Sequence, residues 1–90
     1  MNLLTVEQKT LLKEMKSEWK ERIPEFSAIY CDKRKTFYKV KLYLIPKKYM
    51  NRAKNIAEKY NLGDIEVSAT SSYLRTFVTY YDCVVRIPYV

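Results

Sequence analysis

The chain predicts an α+β fold, a two-layer sandwich with two helices on one face of a four-stranded antiparallel sheet. Three observations carry this expectation. Two segments place apolar residues at helical spacing, four shorter runs are rich in β-branched and aromatic side chains, and their order is helix, strand, strand, helix, strand, strand. Ninety residues make one domain, 1–90, with a hydrophobic fraction of 48% that argues against disorder. That length suffices for a two-layer core but not for a deep enclosed pocket.

Thr5-Val6-Glu7-Gln8 has capping-box spacing, so the first helix begins there and runs to about Arg22. Leu4, Leu11, Leu12, Met15, Trp19 and Ile23 form its apolar stripe. Lys9, Lys13, Lys16 and Lys20 fall on one flank, and Glu7, Glu14, Glu18 and Glu21 on the other. Such a three-sided helix reads first as a solvated face over a core stripe, and second as a docking face that sorts a partner by charge. Trp19 is expected to be buried against the sheet together with Leu12 and Met15.

Pro24 ends the helix, and residues 25–31 read as a strand. Asp32-Lys33-Arg34-Lys35 is an interruption of hairpin-turn length. Residues 36–45 alternate as a longer strand, with Tyr38, Val40, Leu42 and Leu44 on one face and Phe37, Lys39, Lys41 and Tyr43 on the other. Pro46 suits the first position of a second helix reaching about Leu62, with Tyr49, Ala53, Ile56 and Tyr60 inward and Lys48, Arg52, Asn55 and Lys59 in a polar row. Gly63, the only glycine, is expected to stop it. Residues 64–70 form a third strand, Ser71-Ser72-Tyr73 turns the chain, and 74–87 is the longest strand.

Both longer strands end in Ile-Pro, at Ile45-Pro46 and Ile87-Pro88, and Lys35-Thr36-Phe37 is echoed by Arg75-Thr76-Phe77. The chain therefore reads as two divergent αββ halves, about 1–46 and 47–90. This order matches a ferredoxin-like sandwich, circularly permuted so that its first strand lies at the C-terminal end, an analogy of fold alone. It requires strands 36–45 and 74–87 at the sheet centre. Glu66, Ser68 and Thr70 give the third strand the polar face of a protected edge.

Charge is distributed unevenly. Residues 31–59 hold ten lysines and arginines against Asp32 and Glu58, whereas residues 1–30 balance and residues 60–90 carry a net minus one. Mutually repelling cations clustered in a folded segment point to a polyanionic partner. The hairpin tip Lys33-Arg34-Lys35 reaches phosphates most readily. Phe37, Lys39, Lys41 and Tyr43 on an uncovered sheet face resemble the stacking platforms that bind single strands. Lys47 and Lys48 occupy a helix first turn, where the macrodipole disfavours cations and a bound phosphate would reverse the penalty.

These residues make a small non-enzymatic nucleic-acid-binding protein the leading expectation, with single strand or duplex undetermined. The alternative is a protein-interaction module, either a homodimer or a small inhibitor, of viral type, that docks on an acidic protein surface. A metal-dependent nuclease is the third reading, through Asp64, Glu66 and Asp82, if Asp82 comes near the start of the third strand. Histidine is absent and no glycine-rich phosphate loop or activated nucleophile is found, so neither a resident metal nor another cofactor is implied. Cys31 and Cys83 read as two small buried hydrophobes, with a disulfide as the alternative.

No stretch approaches eighteen apolar residues, and the N-terminus lacks the basic flank and apolar core of a signal peptide, so the expected setting is the cytoplasm, without a membrane partner. Nine tyrosines with one glycine, one glutamine and abundant lysine resemble the composition of small proteins from hyperthermophilic archaea and their viruses.

Overall fold

The structure is a computed structural model that describes residues 3–24, 28–70 and 79–90. Helix α1 spans Val6–Arg22, strand β1 Ala28–Lys33, strand β2 Phe37–Pro46, helix α2 Lys47–Tyr60, strand β3 Asp64–Thr70 and strand β4 Tyr80–Pro88. The sheet is antiparallel in the order β1-β2-β4-β3, so the two longer strands are central as expected. Leu12, Met15 and Trp19 of α1 and Ala53, Ile56 and Ala57 of α2 share one core with Val40, Leu42, Val85 and Ile87. Both helices therefore cover the same sheet face. This is the αββαββ sandwich that the sequence predicts.

Helix α1 begins where its capping box requires. The Gln8 N–H donates to Thr5 Oγ1 at 3.0 Å, and the Thr5 N–H donates to Gln8 Oε1 at 2.8 Å, which satisfies two helix-terminal donors reciprocally. Ile23 leaves the helix at φ −112° and ψ 92°, the extended conformation that the following Pro24 imposes. Trp19 is fully buried, and its indole N–H donates to the Ala53 carbonyl at 3.1 Å, which ties α1 to α2. Helix α2 ends at Asn61 in the left-handed conformation (φ 48°), with its N–H bonded to the Ala57 carbonyl. Asn61 thus takes the terminating role expected of Gly63. Gly63 is needed for another reason: a Cβ there would lie 1.8 Å from the Arg86 carbonyl oxygen. Pro46 likewise sits one place earlier than expected, as the last residue of β2 and the cap of α2.

Three strand details differ from the sequence expectation. Strand β1 continues through Asp32 and Lys33, and the hairpin closes later, where the Arg34 N–H donates to the Phe37 carbonyl at 2.9 Å. An edge hairpin in solvent carries charged strand residues cheaply, and Arg34 neutralises Asp32 at 2.7 Å. Strand β2 loses its alternation after Leu42, because a bulge separates Leu42 from Ile45 in the pairing with β4. Leu44 takes a left-handed φ of 59°, and Ile45 replaces it in the core. The N-terminal part of the first expected strand, the turn at 71–73 and the start of the last strand lie outside the described residues. Thr79 precedes β4 without joining it.

Candidate nucleic-acid interface

The register sorts the predicted site residues into three places. On the sheet face opposite the helices the pairing aligns Asp32, Lys39, Arg86 and Asp64 in one row across the sheet, and Tyr30, Lys41, Val84 and Glu66 in the next. Tyr43 and Asp82 follow further along the central strands. Strand β2 alone is basic, but its neighbours bring Asp32, Asp64, Glu66 and Asp82 against Lys39, Lys41 and Arg86. The expected cationic platform is therefore close to neutral.

Two of its four predicted residues are engaged within the protein. The Lys41 ammonium lies 3.4 Å from the Asp82 carboxylate and 4.7 Å from the centre of the Tyr43 ring. Tyr43 packs edge-on against Tyr30 with ring centroids 5.8 Å apart. Arg86 pairs with Glu66 at 3.0 Å. Phe37 and Lys39 stand beside Pro88 and Arg86 in the ladder.

Lys47 and Lys48 occupy the first turn of α2, where no acidic residue accompanies them. Lys48 lies 5.2 Å from the Tyr49 ring, and Arg52 lies 5.3 Å from the same ring. This group is on the helix side, apart from the lysines of the open face, as the sequence requires. Lys59 is bound to Glu18 at 2.8 Å, and this hydrogen bond to the carboxylate raises the Lys59 ammonium above its ordinary pKa.

The third place is one that the sequence divides between two segments. Because β1 includes Lys33, strand alternation turns Lys33 to the helix side, directly opposite Tyr38. There it meets the basic flank of α1. Lys9, Lys13, Lys16 and Lys33 surround a cleft of about 540 Å³ with Leu3, Leu4, Leu12, Tyr38 and Tyr89 in its walls. None of the four lysines has an ion pair with a carboxylate among the described residues. The Lys16 ammonium donates to the Cys31 thiol at 3.9 Å.

Tyr89 is fixed at both ends, since its hydroxyl donates to the Arg34 carbonyl at 3.0 Å and its N–H to the Thr36 carbonyl at 3.4 Å. The cleft is thereby joined to the hairpin tip that carries Arg34 and Lys35. Burial, and then the hydrogen bond to the Cys31 thiol, hold the Tyr38 phenol above its ordinary pKa. The sequence signal for this cleft was the basic flank of α1. Net charge along the helix concealed it, because the opposing glutamates lie on a different side.

The carboxylates expected to gather do not. Asp64 faces Arg86 and Asp82 faces Ser68, because Thr70 pairs with Tyr80 and the connection between β3 and β4 is longer than a turn at Ser72. Among the described residues no group of three or more acidic or cysteine side chains is placed to hold a metal ion. The cysteines also divide: Cys83 is buried, whereas Cys31 is exposed on the edge strand, and both are free thiols. No helix among the described residues is long and apolar enough to cross a membrane. No protein family, curated protein or solved structure matches the chain.

Proposed function

We propose that this protein binds nucleic acid through a cationic surface that runs from the basic flank of α1 to the tip of the β1–β2 hairpin. The observation that supports it is the convergence of Lys9, Lys13, Lys16 and Lys33 around one cleft with no carboxylate partner among the described residues. Lys41, Lys59, Arg34 and Arg86 each have an acidic partner within 4 Å, whereas Lys39, Lys47 and Lys48 have none among the described residues; the four cleft lysines differ from these in lining one concavity together. Four ammonium groups around one concavity repel one another and focus a positive field, a cost that a polyanion offsets. Each phosphate they neutralise releases counterions, so affinity falls steeply with salt.

Binding of labelled single- and double-stranded oligonucleotides across a salt series tests the reading. Wild type binds at low salt, and the combined variant Lys9→Ala/Lys13→Ala/Lys16→Ala/Lys33→Ala binds weakly. Its log K against log salt slope is shallower by about 3, at about 0.7–0.9 per lost phosphate contact. A wild type that binds neither form at low salt overturns the proposal.

A second reading rests on a different surface. Tyr30 is 58% exposed on the edge strand β1, beside Tyr43, and an edge strand bearing an exposed aromatic is a natural site for a second copy or another protein. Sedimentation equilibrium separates the two: a dimer dissociated by Tyr30→Ser favours the interaction reading.

A further inference from the structure

The cationic surface encloses more than charge. A surface that met only phosphates would gain nothing from an apolar floor, yet the cleft beneath the lysines is walled by Leu3, Leu4 and Leu12 and by the rings of Tyr38 and Tyr89. Leu3 is half exposed, so the described residues leave this apolar wall open. Its volume of about 540 Å³ lies within the roughly 300–1,000 Å³ usual for small-ligand sites.

The cations are arranged as a rim. Lys9, Lys13 and Lys16 recur at helical spacing along one side, reaching about 10 Å along the axis at about 1.5 Å per residue, and Lys33 stands on the strand opposite. Tyr89 is held by its hydroxyl and by its backbone N–H, so its ring is oriented before any ligand arrives.

A ligand that satisfies both features carries flat apolar groups covalently tied to closely spaced anions. A duplex does not, because its bases are stacked inside and its phosphates outside. We infer that the cleft receives an unpaired base, stacked against Tyr89 and the leucine wall, while the rim lysines hold the flanking phosphates; the ligand is single-stranded nucleic acid. This rests on the nucleic-acid reading and narrows it. Walls that offer aromatic and aliphatic faces rather than base-edge donors and acceptors make the site tolerant of sequence, since every base has a π-face.

The test uses three probes of equal length and phosphate number: an oligothymidylate, the same strand built of abasic units, and the thymidylate annealed to its complement. Fluorescence anisotropy at fixed salt gives the affinities. The expected result is that the base-bearing single strand binds about tenfold or more tightly than the abasic strand, and more tightly than the duplex. Tyr89→Ala and, separately, the half-exposed Leu3→Ser reduce the preference for bases while leaving the abasic affinity and its salt slope unchanged. The second variant guards against a folding effect of the first.

Equal affinity for base-bearing and abasic strands, with a normal salt slope, overturns the base pocket and leaves the nucleic-acid reading standing. A duplex bound as tightly as the single strand does the same. Failure of all three probes to bind at low salt overturns both.

Discussion

The backbone N–H of Leu44 donates to the Asp82 carboxylate at 3.1 Å, across the two central strands and at the point where their ladder is interrupted. The bulge leaves this amide without a ladder partner, and Leu44 adopts a left-handed φ of 59° that a leucine accepts only under constraint. Asp82, 8% exposed, supplies the missing acceptor, and Lys41 at 3.4 Å balances its charge. An acidic residue within an apolar strand is thereby explained as the mate of a backbone irregularity.

Asp82→Ala removes an acceptor from a partly buried N–H and a partner from Lys41, so it lowers stability by about 2–3 kcal/mol. Asp82→Asn keeps an oxygen in place and costs about half as much. Urea unfolding of the two variants beside wild type checks this. Equal losses would mean that charge rather than the bond to Leu44 holds the bulge.

Trp19 fills the space between α1, α2 and the sheet, and it is fully buried. Trp19→Ala costs about 3–5 kcal/mol through lost packing and the cavity left behind. Trp19→Phe retains most of the packing but leaves the Ala53 carbonyl without the indole donor, and is milder by about half. Thermal or urea unfolding of both variants orders them.

Gly63→Ala meets backbone rather than a movable side chain, since its Cβ would lie 1.8 Å from the Arg86 carbonyl oxygen. The chain must shift where α2 hands over to β3, and the expected loss is about 2–4 kcal/mol, in the range of overpacked and strained sites. Asn61→Gly, two residues earlier, keeps the left-handed cap and leaves stability unchanged or slightly higher. The contrast in melting temperature between these variants separates a close approach from a helix stop.

Element order, the capping box, the apolar stripe of α1 and the central position of the longer strands were legible because each follows from local pattern. The bulge was not, since alternation in β2 reads cleanly through Leu44, and only the pairing with β4 shows Ile45 taking the core position. The site was half legible. By local pattern Lys33 belongs to a turn, and a turn residue has no assigned face; once β1 extends through it, alternation sends it toward α1 and the lysines of that flank. The open face failed in the opposite way. Phe37, Lys39, Lys41 and Tyr43 are on one face as read, but their charge is set by Asp32, Asp82 and Glu66, which reach them only through the tertiary register.

The two thiols differ in a way that chemistry can read. Cys31 is exposed and Cys83 buried, and burial pushes the Cys83 thiol up to about 12 from its ordinary 9.0. Iodoacetamide at pH 8 therefore labels Cys31 in the native protein and Cys83 only after denaturation. A thiol whose pKa is raised by folding stabilises fully below its unfolded pKa, and that contribution is lost as pH rises from about 9 toward 12. Cys83→Val, apolar and of similar size, flattens the fall in stability across this window relative to wild type. An unchanged slope would assign the alkaline loss to other groups, with the Tyr38 phenol foremost.

The open sheet face and the lysine-rimmed cleft differ in how far their cations are compensated. Phe37, Lys39, Lys41 and Tyr43 stand among carboxylates, and Lys41 is already paired with Asp82. Lys9, Lys13, Lys16 and Lys33 have no carboxylate partner among the described residues. A polyanion approaching the first face must displace or repel acids, whereas one approaching the second meets uncompensated charge. The variant Phe37→Ala/Lys39→Ala/Tyr43→Ala therefore shifts the log K against log salt slope by no more than about 0.9, the value of one phosphate contact on duplex. The triple variant Lys9→Ala/Lys13→Ala/Lys33→Ala shifts it by about 2–3. One oligonucleotide titration of both variants across salt decides between the faces. A larger loss from the open-face variant would return the interface to the sheet and leave the lysine-rimmed cleft without a role in binding.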